Sequence, residues 1–323
     1  MNIYDYLIYG KDSETFDTIY TENLQHFLQK YRDANLLKHG NRYRAKLVMW
    51  GYLFGDESGF DKNYRNVFNV ATAIELIHKA SLIIDDIIDG DEMRYGEAAF
   101  HIQYSINEAV VCAINMLGNA SKLMNDAIND LGILSGNVSY INALLSDIII
   151  SMSTGALMEM NQKKLSYDDF KYMVELQTSK IITNALIIGY LCSNRIDENV
   201  IDLLVRIGDK CGFIYQCFND LEPIYNSQFN QEHKGKVNND SDRNRKNILY
   251  FFENELEKNK VYTKETILDK VLSLIKTDVQ EIYGLIEQLK PYCSSDEWVN
   301  NFILFFSQIL LWGSNRDSLN VKL

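Results

Sequence analysis

Proline is nearly absent: Pro223 and Pro291 are the only two in 323 residues. No Gly/Ser-rich or Pro-rich tract serves as a linker either, so residues 1–323 read as one large domain. Cysteine is sparse and shows no pairing pattern. The five cysteines (Cys112, Cys192, Cys211, Cys217, Cys293) contain no CxxC and mostly fall among apolar neighbours, as reduced buried thiols do, which suits a cytoplasmic setting. Positive charge is also short, with a net charge of −12 and a pI near 4.9. That balance excludes a nucleic-acid surface and charge-driven docking on anionic lipid. Charged or strongly polar residues interrupt each apolar stretch, and residues 1–10 lack the basic start and apolar run of a secretory signal. No membrane-spanning segment is therefore expected.

What is present favours a helical core. Apolar residues make up 46% of the chain and charged residues 24%, ample for a compact interior. Helical periodicity dominates and alternating strand patterns are scarce, so the expectation is an all-α bundle of ten or more helices around a central active-site cavity. The periodicity places helices at about 14–34, 42–53, 67–89, 102–131, 138–160, 167–192, 200–226, 242–257, 264–289 and 298–312. Residues 67–88 are apolar on nearly all sides, which marks a helix at the centre of the bundle. The polar stretch 227–242 is long for a compact domain, and loops of that length are often active-site lids.

Two acidic patches interrupt this apolar pattern. His78, Ser81, Asp85 and Asp89 follow helical steps of three and four, so they lie on one stripe, and Asp86 sits roughly 100° round from Asp85. A solvated helix end would explain a lone DxxD. Here adjacent acids close the most apolar helix of the chain, with Arg94 nearby, and such carboxylates repel unless a cation intervenes. Oxygen donors of this kind suit a hard ion such as Mg²⁺. The second patch places Gly212, Gln216, Asn219 and Asp220 on one helical stripe, with Glu222 and Pro223 just after. Pro223 cannot donate to the Asn219 carbonyl, so a local distortion is expected there.

The run His78-Lys79-Ala80-Ser81-Leu82-Ile83-Ile84-Asp85-Asp86-Ile87-Ile88-Asp89, followed by Arg94, Gly96 and His101, resembles the first aspartate-rich region of the trans-isoprenyl diphosphate synthase (polyprenyl synthetase) family. The resemblance covers residues 40–247 and implies the type I isoprenoid synthase fold. It also implies that Asp85 and Asp89 hold Mg²⁺, two or three ions in all, against an allylic isoprenoid diphosphate, with Asp86 and Arg94 supporting. At the second patch the family would read Gln-x-x-Asp-Asp-x-x-Asp. This chain has Gln216, then Asn219, Asp220, Glu222 and Pro223, which implies an altered metal set of Asn219, Asp220 and Glu222 beside Gln216. Lys180, with Thr183 one turn on, resembles the family's Lys-Thr pair. Lys236 and Lys246, with Arg243 and Arg245, resemble its basic run after the second motif, and together these imply a diphosphate clamp.

In the family a second diphosphate, that of isopentenyl diphosphate, is held by Gly-Lys-Arg-x-Arg-Pro, a His and an Arg-Arg-Gly. The corresponding residues are Gly40-Asn41-Arg42-Tyr43-Arg44-Ala45, His78 and Arg94-Tyr95-Gly96. Arg42, Arg44 and His78 remain, while Asn41 and Tyr95 replace two cations. Each such contact contributes on the order of 1.5–3 kcal/mol, so the loss weakens that site by about two orders of magnitude or more. Small residues at Ala80 and Ser81 leave the cavity floor open, favouring products of C20 or longer. The implied function is a Mg²⁺-dependent prenyltransferase using isopentenyl diphosphate or another acceptor, and the implied assembly is a homodimer. A class I terpene synthase and a non-catalytic subunit of a prenyl synthase are the alternatives.

Overall fold

The computed structural model describes residues 3–10, 14–27, 31, 34–161, 166–225, 247–252, 264–293 and 296–312. Its helices are α1 (Ile3–Tyr9), α2 (Glu14–Phe27), α3 (Asn35–Lys38), α4 (Tyr43–Asp56), α5 (Phe60–Asp89), α6 (Phe100–Tyr104), α7 (Ile106–Asp130), α8 (Ser135–Asn161), α9 (Tyr167–Val174), α10 (Lys180–Cys192), α11 (Glu198–Tyr225), α12 (Lys264–Leu289) and α13 (Asp296–Trp312). A helical stretch at 248–252 lies between α11 and α12. One two-stranded antiparallel hairpin, β1 (Met93–Arg94) with β2 (Glu97–Ala98), follows α5. The all-α expectation holds.

The central helix is α5. It packs most extensively against α7 and α4, and Val67, Phe68, Val70, Ala71, Ile74, Leu76 and Ile77 are fully enclosed, as all-round apolarity requires. Gly90 stops it in the left-handed conformation (φ 61°), its N–H donating back to Asp86 and Ile87, a glycine cap that needs no strained side chain. Against it α7 presents Ala109, Cys112, Ala113, Met116, Ala120, Met124 and Ala127 at helical spacing, so small side chains allow close approach.

The α4–α10 crossing is tighter still. A Cβ at Gly51 would lie 2.0 Å from the Leu186 carbonyl oxygen, and one at Gly189 would lie 1.9 Å from that of Val48. Only glycine fits on either side. The last helix, α13, closes the bundle through Trp298, Phe302 and Phe305 around Trp50, with Trp298 Nε1 donating to the Trp50 carbonyl at 3.2 Å.

Several boundaries depart from the sequence expectation. The 102–131 helix is two helices, α6 and α7, separated at Ser105, which has φ 115° and whose hydroxyl accepts from Glu108 N–H. The 167–192 helix is divided by a π turn at Glu175–Ser179, closed by the Lys180 N–H donating to the Glu175 carbonyl. The capping box of Ser166 and Asp169 starts it. Despite Pro223, α11 continues to Tyr225. By length and composition, α5 and α8 are both apolar enough to cross a membrane, contrary to the expectation of interrupted runs. In α5, 72% of that apolar window is buried in the protein; in α8, 28% is.

Candidate active site

The first acidic patch ends α5, and its three aspartates have different environments. Asp85 is exposed, Asp89 is half-buried and Asp86 is fully buried. Asp85 and Asp89, four apart on one face, therefore present oxygens to the outside of the helix end. Asp86 turns inward and is gripped by Arg94, whose Nε donates at 2.9 and 3.2 Å and whose Nη2 donates as well. Burial pushes the Asp86 carboxyl up, and Arg94 opposes that rise. The pair straps the β1–β2 hairpin onto α5.

Above this patch lies a cationic cluster. Arg44 Nη1 stands 3.1 Å from His78 Nε2, so His78 is the acceptor and its imidazole is neutral. Burial, and then Arg44, Lys79, Arg94 and Arg42, hold that ring well below the usual histidine range. Arg44 Nε is buried without a hydrogen-bond partner, and its guanidinium lies 5.7 Å from the Tyr215 ring of α11. Among the described residues no carboxylate pairs with Arg44. An arginine placed so, beside a neutral histidine, is arranged to receive an anion.

Arg42 faces elsewhere. It is a left-handed residue (φ 55°) at the start of α4, it pairs with Glu75 at 3.0 Å, and it donates to the carbonyls of Leu37, Lys38 and His39. Its guanidinium lies 4.0 Å over Tyr20. In this arrangement Arg42 is a strut for the turn before α4. Glu75 also lies 3.6 Å from Lys79 Nζ, and Lys79 donates to the His39 carbonyl at 2.7 Å.

The second patch is inward-facing. Gln216 donates to Asp220 at 2.8 Å and accepts from Thr178 at 3.2 Å, while the other Asp220 oxygen accepts from the Ile248 N–H at 2.9 Å. Asp220 is buried and Asn219 exposed. Lys180 follows the π turn, pairs with Glu175 at 3.1 Å, and feels Asp209 and Asp147. Thr183 donates to Asp209 at 2.9 Å. The Glu222 side chain, Lys236 and Lys246 lie outside the described residues.

Among the described residues no three His, Cys, Asp or Glu side chains form a ready-made metal cage. The donor set still fits Mg²⁺, which keeps several waters and takes one or two carboxylates plus substrate oxygens, and Asp85 and Asp89 offer two such carboxylates on one face. Three neighbours of the cationic cluster escaped the sequence reading: Lys79, Glu75 and Tyr215. The first two carried a signal, an acid and a base four apart in an otherwise apolar helix.

Fold and site together define the class, an all-α type I isoprenoid synthase fold with acidic helix ends and a cationic pocket. The polyprenyl synthetase family model matches residues 25–289, and the chain belongs to that family. Among curated relatives, a geranylgeranyl diphosphate synthase of Methanosarcina mazei is 28% identical over 49% of this chain and 48% of its own, so the match spans about half of that relative. A farnesyl diphosphate synthase of Buchnera aphidicola is 25% identical over 74% of this chain and 78% of its own. The fold is shared with a heptaprenyl diphosphate synthase of Staphylococcus aureus (TM-score 0.78, 16% identity, 96% and 98% of the two chains). It is also shared with a Helicobacter pylori geranyltransferase solved with magnesium and isoprenyl diphosphate (TM-score 0.68, 18% identity, 91% and 97%). The named relatives are isoprenyl diphosphate synthases, that is, prenyltransferases.

Proposed function

We propose that this chain is a Mg²⁺-dependent prenyltransferase that ionises an allylic isoprenoid diphosphate and passes the prenyl group to an acceptor, isopentenyl diphosphate in the simplest case. The observation that carries the reading is the juxtaposition of outward carboxylates at Asp85 and Asp89 with an Arg44 whose Nε is buried without a partner and a neutral His78 about two to three turns above. Carboxylates alone would repel a diphosphate; carboxylates that hold Mg²⁺, next to free cations, attract it. When bound there, Mg²⁺ supplies neutralisation of the leaving diphosphate.

The residues of the chain have separable tasks. Asp85 and Asp89 hold the metal, and Asp86, locked by Arg94, fixes the helix end that carries them. Lys180, with Lys236 and Lys246, contacts the allylic diphosphate, and Asn219, Asp220 and Glu222 form the second, altered acidic set beside Gln216. Arg44, His78 and the Tyr95 hydroxyl receive the acceptor diphosphate, with Arg42 bracing the turn that bears Arg44. The chain is a homodimer that uses the outward face of α7 and α8, where Val111, Ile114, Ile150, Leu157 and Met160 are exposed.

The test is incubation of purified protein with geranyl, farnesyl and geranylgeranyl diphosphates, with and without isopentenyl diphosphate, in Mg²⁺. Longer diphosphates that appear only with isopentenyl diphosphate are expected. Hydrocarbons or alcohols formed without it would indicate a terpene synthase. No turnover with any acceptor would indicate a non-catalytic subunit. Asp85→Ala should abolish turnover while leaving the melting temperature unchanged.

A further inference from the structure

We infer that Lys79 is a specificity-determining residue at the acceptor end: its buried ammonium supplies the positive charge that makes this end select an acceptor bearing a diphosphate. The inference rests on the function proposed above and adds a residue to it. Lys79 is fully buried, which lysine almost never is without a reason. Its Nζ lies under the turn at Gly40, where an added Cβ would sit 2.8 Å from Nζ and 3.4 Å from the Tyr95 hydroxyl. It also lies 5.1 Å from the centre of the Tyr95 ring.

The charge count around it is unbalanced. Among the described residues, Arg42, Arg44 and Lys79 face Glu75, with Asp17 also acting on Arg42, so one positive charge has no counterpart in the cluster. Glu75 is closest to Arg42, at 3.0 Å against 3.6 Å for Lys79. Holding surplus positive charge in a buried place is unfavourable for the empty protein. It becomes favourable once an anion arrives, and a diphosphate at Arg44 and His78 is such an anion. Lys79 acts across the Tyr95 ring and the Gly40 turn, not by contact, so it is a positioning residue.

The groups that face Lys79 are Glu75 and His78 on its own helix, Arg42, Arg44 and His39 from the α4 side, and Tyr95 from the hairpin. Burial foremost, then Arg42 and Arg44, pull its ammonium down to about 8 against the partial support of Glu75. Acceptor affinity should therefore fall as pH rises past about 8.

The test is calorimetric titration of isopentenyl diphosphate and of inorganic pyrophosphate into full-length wild type, Lys79→Met, and Lys79→Met with Asn41→Lys. Asn41 follows Gly40 directly, so a lysine there returns a cation to the same turn without rebuilding the bond to the His39 carbonyl. Lys79→Met should weaken isopentenyl diphosphate roughly 3- to 10-fold, less than the loss of a direct charged contact. The acceptor KM should rise in step, the allylic KM should not move, and the double variant should recover most of the loss. Unchanged affinity in Lys79→Met overturns the inference. A loss that Asn41→Lys leaves unrepaired, or one shared by the allylic substrate, overturns it too, because Lys79 would then be only a prop for the turn. If wild type turns over no allylic substrate with any acceptor, the proposed function itself fails, which is a separate outcome.

Discussion

Replacing Lys79 with methionine should make the protein more stable. The Lys79 ammonium titrates near 8 in the fold, against 10.5 for a free lysine, with burial as the leading cause. At about 1.4 kcal/mol per tenfold change in proton affinity, keeping it charged at pH 7 costs on the order of 3 kcal/mol relative to the unfolded chain. The direction follows from which state binds the proton more tightly. Here it is the unfolded chain, so the cost is fully present below pH 8, shrinks between 8 and 10.5, and is gone above. Methionine has a similar length and no charge. It gives up the 3.6 Å contact with Glu75, which stays paired with Arg42, and frees the carbonyl of the exposed His39, which water can satisfy. The expected gain is about 2–3 kcal/mol, or a melting temperature higher by roughly 3–6 °C for a domain of this size. Denaturant unfolding at pH 7 and near pH 10 measures it: the advantage of the variant should be large at the first and small at the second. A variant less stable than wild type at pH 7 would show that the ammonium contributes to stability, and an offset equal at both pH values would show that its charge is not the source of the difference. The case for a lysine kept for binding would then collapse.

Four further outcomes follow from the packing and the charges. Asp86→Asn leaves Arg94 facing an amide in a buried place and should cost about 3–5 kcal/mol; a thermal melt indistinguishable from wild type would refute the strap. Gly189→Leu should cost more than about 3 kcal/mol or prevent folding, because overpacking against the Val48 carbonyl cannot relax. Gly118→Ala, on an α7 surface with nothing within 4 Å of the new methyl, should instead gain roughly 0.4–1 kcal/mol, and circular dichroism melts separate the two. Ile150→Asp with Leu157→Asp should convert a dimer to a monomer in multi-angle light scattering, and an unchanged mass would rule out α8 as the shared face.

Much of this was legible before any coordinates. The all-α bundle follows from periodicity, and the central helix from the apolar run that ends at Asp85. The bounds of 264–289 agree with α12 to the residue. The breaks were not legible, because Ser105 and the π turn arise where tertiary packing overrides local pattern, and neither contains a proline to announce it. At the site, spacing put Asp85, Asp89, His78 and Arg44 in view. It did not separate Arg42 from Arg44, since two arginines two residues apart look alike until Glu75, a whole helix away, claims one of them. Lys79 stayed hidden for the same reason. A charged residue in an apolar helix is informative only with its neighbours, and Gly40 and Tyr95 come from other segments.

The π turn at Glu175–Ser179 also bears on how this chain can be cut and aligned. Such a turn is one residue too many for the helix around it, so everything after it, Lys180 included, is rotated by roughly 100° relative to a regular continuation from Phe170. Deleting any single residue between 175 and 179 should yield a smooth helix that swings Lys180 away from Asp209 and buries a different side. A gapless alignment to a relative without the extra residue would pair Lys180 with the wrong position.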